Sequence, residues 1–307
     1  DFPREQVSEE LFDYFGWSRS ILPPVSPVFA EHGRLTSTVA QHLGLSAGIP
    51  VTYKAGDQQN NAWSLQVLSP GDVAATAGTS GVIYAVTDQL ASDPLSRVNT
   101  FAHVNHSQDQ RRLGVLLCIN GVGILNNWVK KMMAADQSYE AINQQAARVP
   151  VGSDGLVVLP FGNGAERMLE NKILQAHINQ INFNLHSNAH IFRAAQEGIA
   201  FAFRYGFDII EQSTGRPAVI RAGKANMFLS EVFTQTFVNI TQTPVELYDT
   251  DGSAGAARGA LRGLLGEAAA SGTLQPLASI VPDKNTEPVE LAFQQWLATL
   301  QIQLANY

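Results

Sequence analysis

Hydrophobic positions along the chain fall into two rhythms. Between Ser187 and Thr214, the residues Ile191, Ala194, Ala195, Gly198, Phe201, Ala202, Tyr205 and Ile209 recur every three or four positions. That spacing predicts a long helix with one apolar face, capped by Ser187 or Asn188. Elsewhere the apolar runs are short and β-branched. Val73–Thr76 and Val82–Val86 are joined by Gly-Thr-Ser-Gly, which predicts a hairpin with its tip at Gly78 to Gly81. A third strand is expected over Leu113–Ile119, followed by helices over Ile124–Met133 and Tyr139–Arg148 and a buried strand in "GLVVLPF". After the long helix come "AVIRAG", a helix over Leu229–Thr241, "PVELY" and the small-residue helix "SAGAARGALRGLLG". An amphipathic helix over Val289–Leu304 ends the chain.

The amino-terminal stretch is less regular. "SEELFDYFG" carries a Ser cap and a closing Gly16, predicting a short helix that "ILPPVSPVFAEHG" then breaks. Thr36–Leu43 reads as a second short helix stopped by Gly44, and "IPVTYKAG" as a strand that delivers Asp57 at its end. Hairpins followed by alternating strands and helices indicate an α/β layer on a mixed sheet.

Bulk properties narrow the function classes. The 307 residues are 45% apolar, ample for a sizeable core. The formal charge is -7 and no basic block exceeds Lys130 with Lys131, so the footprint of a nucleic-acid or anionic-membrane binder is missing. Small phosphorylated molecules stay open, because backbone amides hold them without basic side chains. The lone cysteine, Cys118, lies in "LGVLLCING" and has no partner for an intramolecular disulfide. This suits a core position and a reducing cytoplasm. No apolar run reaches membrane-span length, and "DFPREQVSEE" does not resemble a signal peptide. The chain opens without Met in what reads as mid-fold material, so residues upstream are expected.

Several short stretches could carry chemistry. The Gly-Thr-Ser-Gly turn offers successive N–H groups and two hydroxyls to a phosphate, although tight hairpins need glycine for geometry alone. "RAGKAN" sits between a strand and a helix, where open α/β sheets place ligands; Gly223 permits close backbone approach and Asn226 can read a heterocycle edge. Lys224 lacks the Walker spacing. Asp57 has two readings: a cap for a helix beginning near Asn60, or a general base for a hydroxyl attacking a phosphoryl group. His186 and His190 are four apart but lack the Glu of a zinc helix, and His103 and His106 have no further ligand pattern. "DTDGS" lacks the ligands of a calcium loop and reads as the cap of the next helix. "GAERMLENK" is a polar loop after a buried strand.

Taken together, "AGDQQNNA", "SPGDVAATAGTSGVIY", "LPFGNGAERMLENK", "RAAQEGIAFAFRYGFDII", "IRAGKANMFLS" and "YDTDGSAGAARGA" resemble the carboxyl-terminal part of the FGGY family of carbohydrate kinases, most closely its xylulose kinases. The resemblance runs from near residue 8 to about residue 265. It implies an actin-like ATPase (ribonuclease H-like) fold, a mixed sheet flanked by helices, with the sugar deep between two domains and ATP mainly on the second. Residues 1–65 would be the tail of the first, sugar-binding domain and 66–307 the second, nucleotide-binding one. By the same resemblance Asp57 is the catalytic base and Gln58 touches the sugar. Gly78 and Thr79 meet the phosphates, Gly121 and Asn127 line the nucleotide's pocket, and Gly223 and Asn226 lie against the adenosine. The implied reaction is phosphorylation of D-xylulose to D-xylulose 5-phosphate by ATP. Mg²⁺ would be carried on the phosphates and by water, with no protein metal ligand assigned.

Two departures matter. Ala222, Gly223 and Lys224 stand where the family is richer in glycine, and no Asp-x-Gly-Thr strand turn occurs in this chain. Most of the sugar-binding residues would then lie outside it, and the chain alone would be inactive. Ribulose, gluconate or glycerol stay open as acceptors, as does a non-catalytic nucleotide-binding module on the same fold. A homodimer is compatible with the sequence.

Overall fold

The computed structural model of the protein describes residues 1–90, 92–270, 272 and 274–306. The elements are α1 (Glu9–Phe15), β1 (Gly33–Arg34), α2 (Ser37–Leu43), β2 (Pro50–Val51), α3 (Asp57–Ser64), β3 (Val73–Ala77), β4 (Gly81–Thr87), β5 (Asn99–Ala102) and β6 (Leu113–Ile119). There follow α4 (Gly123–Met133), α5 (Tyr139–Ala147), β7 (Val157–Leu159), β8 (His177–Asn179), α6 (Asn188–Thr214), β9 (Ile220–Gly223), α7 (Glu231–Thr241), β10 (Val245–Tyr248), α8 (Gly252–Leu265), β11 (Ala278–Ile280) and α9 (Glu287–Ala305).

A sheet of order β11-β10-β9-β3-β4-β6-β5 organises the molecule. The meander β3, β4, β6 and β5 is antiparallel throughout, while β9 joins β3, and β10 joins β9, in parallel. Period-two alternation sends the strand side chains to two separate cores. Val73, Ala75, Ala77, Ile83, Ala85, Val115 and Leu117 face α6, α7 and α9. Ala74, Val82, Tyr84, Val86 and Leu116 face the opposite way, with Ala62 and Leu65 from the α3 region.

The long helix forms where the apolar spacing places it. Its Ser187 cap accepts from the His190 backbone while His190 Nδ1 accepts from Ser187 N. Where α6 crosses the sheet it carries Gly206, at which an added Cβ would sit 2.8 Å from Leu117 and 3.1 Å from Ile83. Phe203, Phe228, Phe233 and Phe237 interlock edge-to-face beside it, the arrangement that opposed ring quadrupoles favour.

Other expectations hold with shifted ends. Ser8 and Thr36 cap α1 and α2, and Gly16 and Gly44 close them in the left-handed conformation. Asp251 caps α8 by accepting from Ala254 N at 3.0 Å, the role read for "DTDGS". The last helix begins two residues early, with Pro288 in its first turn.

Three expectations need correction. "IPVTYKAG" is a strand only at Pro50–Val51, paired with Gly33–Arg34. Beyond it the chain packs on α8 instead, with Thr52 Oγ1 donating to the Ala260 carbonyl at 2.7 Å. The following helix starts at Asp57 rather than near Asn60, with Gly56 as its N-cap. Asn226–Leu229 form a 3-10 turn, and α7 proper starts after Ser230, whose Oγ accepts from Phe233 N. The imidazoles of His186 and His190 are engaged locally, by Asn182 N, by the Asp154 carbonyl and carboxylate, and at the α6 cap. Among the described residues no helix is long and apolar enough to cross a membrane.

Candidate functional site

The β3–β4 bend is docked on a helix end. Gly123 N donates to the Gly78 carbonyl at 2.8 Å and Ile124 N to the Thr79 carbonyl at 3.1 Å. Two first-turn amides of α4, which have no partner within their own helix, are thereby satisfied. Gly123 must be glycine, because an added Cβ would lie 2.4 Å from the Gly78 oxygen. On the other side of the bend, a Cβ at Gly78 would lie 3.7 Å from Asn226 Nδ2. Asn226 itself has φ 54°, a left-handed conformation that Asn tolerates better than most residues.

Two cavities flank this bend. The larger, about 570 Å³, is lined by Gly78, Thr79, Asn127, Asn143, Asn226 and Ser230 among others, so it reaches from the bend across α4 and α5 to the start of α7. The smaller, about 350 Å³, takes in Gln58, Asn61, Ser80, Gly223, Asn226 and Asp251. Gly78, Thr79 and Asn226 belong to both.

The structure thus brings most of the residues expected from sequence to one place. Gln58, Gly78, Thr79, Gly223 and Asn226 share the smaller cavity, and Asn127 joins Gly78, Thr79 and Asn226 in the larger. Asp57 stands next to Gln58 in the first turn of α3, exposed, with its carboxylate accepting from Gln58 Nε2 at 3.1 Å. Its side chain makes no cap, so the capping reading of Asp57 fails: Gly56 holds that position without any side-chain bond. Asp57 itself lines neither cavity. Burial raises the Cys118 thiol pKa, Glu166 and then Asp57 adding to the effect while Arg167 opposes it. Cys118 is only half-buried, at the margin of the second core. Gly121 lines neither cavity. It packs against the backbone after β7, where an added Cβ would fall 1.5 Å from the Pro160 carbonyl oxygen.

Sequence reasoning missed several contributors. Glu166, in the loop after β7, is fully buried and accepts from Asn120 N through both carboxylate oxygens at 3.1 Å. It holds the chain just ahead of α4 and hence the helix end on which the bend rests. Burial pushes its pKa up to about 7, against smaller opposing effects of the Asn120 and Gly121 amides. Asn143 and Ser230 reach the larger cavity from separate helices. A local clue existed: Ser230 precedes a Glu-Val-Phe helix start, as caps do.

Four antiparallel strands continued by parallel ones, with helices on both faces and a glycine-bearing bend between two cavities, define an actin-like ATPase domain. Residues 73–264 match the C-terminal domain of the FGGY family of carbohydrate kinases, and the chain belongs to that family. It is 25% identical over 210 residues to a xylulose kinase of Bacillus subtilis, a match covering 68% of this chain and 41% of that protein. The fold is similar to the crystal structure of a xylulose kinase from Rhodospirillum rubrum, with TM-score 0.79, 24% identity and coverage of 97% of this chain and 61% of that one. It is also similar to Plasmodium falciparum glycerol kinase with ADP, with TM-score 0.85, 20% identity and coverage of 99% and 61%. The chain therefore spans about two fifths of the xylulose kinase from Bacillus subtilis and about three fifths of the solved structures.

Proposed function

We propose that the protein transfers the γ-phosphoryl group of MgATP to the 5-hydroxyl of D-xylulose, with Asp57 as general base. The observation that carries this reading is the cavity shared by Gln58 and the Gly78–Ser80 bend, with the Asp57 carboxylate exposed beside Gln58. A hydroxyl held near Gln58 would lie between a carboxylate and a set of amide donors suited to phosphate. The sugar oxygen–phosphorus bond forms as the bond from Pγ to the β–γ bridging oxygen breaks, and the hydroxyl proton passes to Asp57. Such a transition state is loose, so positioning and charge dominate and one carboxylate suffices.

The nucleotide reading rests on fit. The bend presents Gly78 and Thr79 to the phosphates, the larger cavity has room for a nucleoside, and Asn127, Asn143 and Asn226 give it polar walls. Mg²⁺, when bound with ATP, would offset charge on the phosphate oxygens. In this reading residues 1–65 belong to the sugar-binding domain and 66–307 to the nucleotide-binding one. The names of the related kinases support a sugar or polyol acceptor. Xylulose is chosen over gluconate or glycerol because of the xylulose kinase resemblance in sequence, and a substrate panel separates them.

The test is coupled ADP release from the whole protein. Turnover should require xylulose and fall by roughly 10²- to 10⁴-fold in Asp57→Asn with ATP binding retained. A variant with undiminished turnover would remove Asp57 as the base. ATP binding without turnover on any sugar would favour a regulatory module instead.

A further inference from the structure

One buried glutamine links two walls of the larger cavity. Gln196, in the middle of the apolar face of α6, has no exposed surface. Its Nε2 donates to Asn143 Oδ1 at 2.9 Å, and its Oε1 accepts from Ser230 Oγ at 2.5 Å. Both partners line the cavity. The direction of these bonds follows from Ser230, whose Oγ already accepts the cap bond from Phe233 N. Its proton needs an acceptor in a buried setting, and the glutamine oxygen is that acceptor. The glutamine nitrogen must then face Asn143 and take up its oxygen. A half-buried Asn143 is left with Nδ2 as the end it can offer to the cavity. Asn127 repeats the pattern more weakly, since its Oδ1 accepts from Tyr139 Oη at 3.4 Å.

We propose that Gln196 is a positioning residue that sets the hydrogen-bond polarity of this cavity: it turns Asn143 into a donor, so that the wall recognises an acceptor nitrogen on a purine ring. This rests on the cavity taking the base of the nucleotide, as proposed above. Gln196 touches no ligand itself. It acts through Asn143, from a helix that otherwise contributes only apolar surface to the core.

The experiment measures binding of ATP, and of ATP analogues in which carbon replaces N1, N3 or N7, to the 307-residue chain by calorimetry. One analogue should bind roughly three- to tenfold more weakly than ATP, the yield of a single net hydrogen bond. That penalty should vanish in Asn143→Ala, a change at a half-buried site. In Gln196→Leu no donor holds the Asn143 oxygen inward, so that side chain can present either end to the cavity and the penalty of the same analogue should shrink. All three analogues binding within about twofold of ATP, or a penalty that persists in Asn143→Ala, would overturn the inference. If ATP itself does not bind, the nucleotide assignment falls and takes this inference with it, an outcome distinct from binding without selectivity.

Discussion

Glu166 is a carboxylate placed where water cannot reach it, with two backbone amides as its compensation. A buried carboxyl whose pKa is raised stabilises the fold least when ionised. Below its ordinary value of 4.5 the group is protonated in both folded and unfolded chains and carries no penalty. Between 4.5 and about 7 the unfolded chain releases the proton while the folded one keeps it, so stability falls as pH rises through that window. Above it the full penalty persists. Glu166→Gln removes the titration while keeping an acceptor for Asn120 N. Relative to wild type, the variant should therefore gain up to about 3 kcal/mol between pH 5 and pH 8. Urea unfolding at the two pH values measures this, and a gap that stays constant or closes with rising pH contradicts it. Nothing in "GAERMLENK" separates this buried glutamate from an exposed loop residue: its role depends on Asn120, 46 positions away.

At the scale of elements, α8 shows why small residues were worth noticing. Its Gly255, Gly259 and Gly263 are four apart and share one face. An added Cβ would lie 2.8 Å from the Asn60 carbonyl oxygen at Gly255, 2.6 Å from the Tyr53 ring at Gly259 and 2.0 Å from the Thr52 carbonyl oxygen at Gly263. This face seats the segment from Thr52 to Ser64, and with it Asp57. Gly263→Ala improves intrinsic helix propensity yet must push Thr52 away, so a net loss of about 1–3 kcal/mol is expected. Turnover should fall while ATP affinity holds, because the larger cavity is untouched; unchanged turnover in the whole protein would show that Asp57 does not depend on this seat.

Most elements were legible in sequence: apolar runs marked β3, β4, β6, β7, β9 and β10, and apolar spacing or cap residues marked α1, α2, α4, α5, α6, α8 and α9. β5 ("NTFA"), β8 ("HIN") and β11 ("ASI") were missed, because each is three or four residues long and depends on an established strand for its pairing. The candidate site was legible where one turn holds several members, as at Gly78–Thr79 and Gly223–Asn226. It was not legible where single side chains converge from α5, α6 and α7. Gln196 did leave a trace, as a polar residue within the unbroken buried run from Phe192 to Phe203, and such a residue requires partners.

For the whole molecule, the sheet supplies a fixed platform with both cavities at one end of β3 and β4. The proposed phosphoryl transfer demands that water be excluded, so cleft closure is expected to accompany it. We propose that α3, although inside the 1–65 segment, moves with the nucleotide-binding domain because it is seated on α8, which puts the pivot of that motion upstream of Asp57 rather than at residue 65. The 307-residue chain by itself should bind ATP yet leave xylulose unphosphorylated, because most of the sugar pocket is assigned to the remainder of the protein. Calorimetry paired with the coupled assay reads both, and phosphorylation by the chain alone would refute that division of labour.

The anchored bend has one more consequence. Since the oxygens of Gly78 and Thr79 are tied to α4, neither peptide can rotate to greet a cation, and the polarity of the surface there is set before anything arrives. A guest bearing positive charge at that spot would find no oxygen turned toward it from these two peptides, so the same clamp, if it holds phosphates as proposed, should discourage a bare metal ion from lodging ahead of its nucleotide.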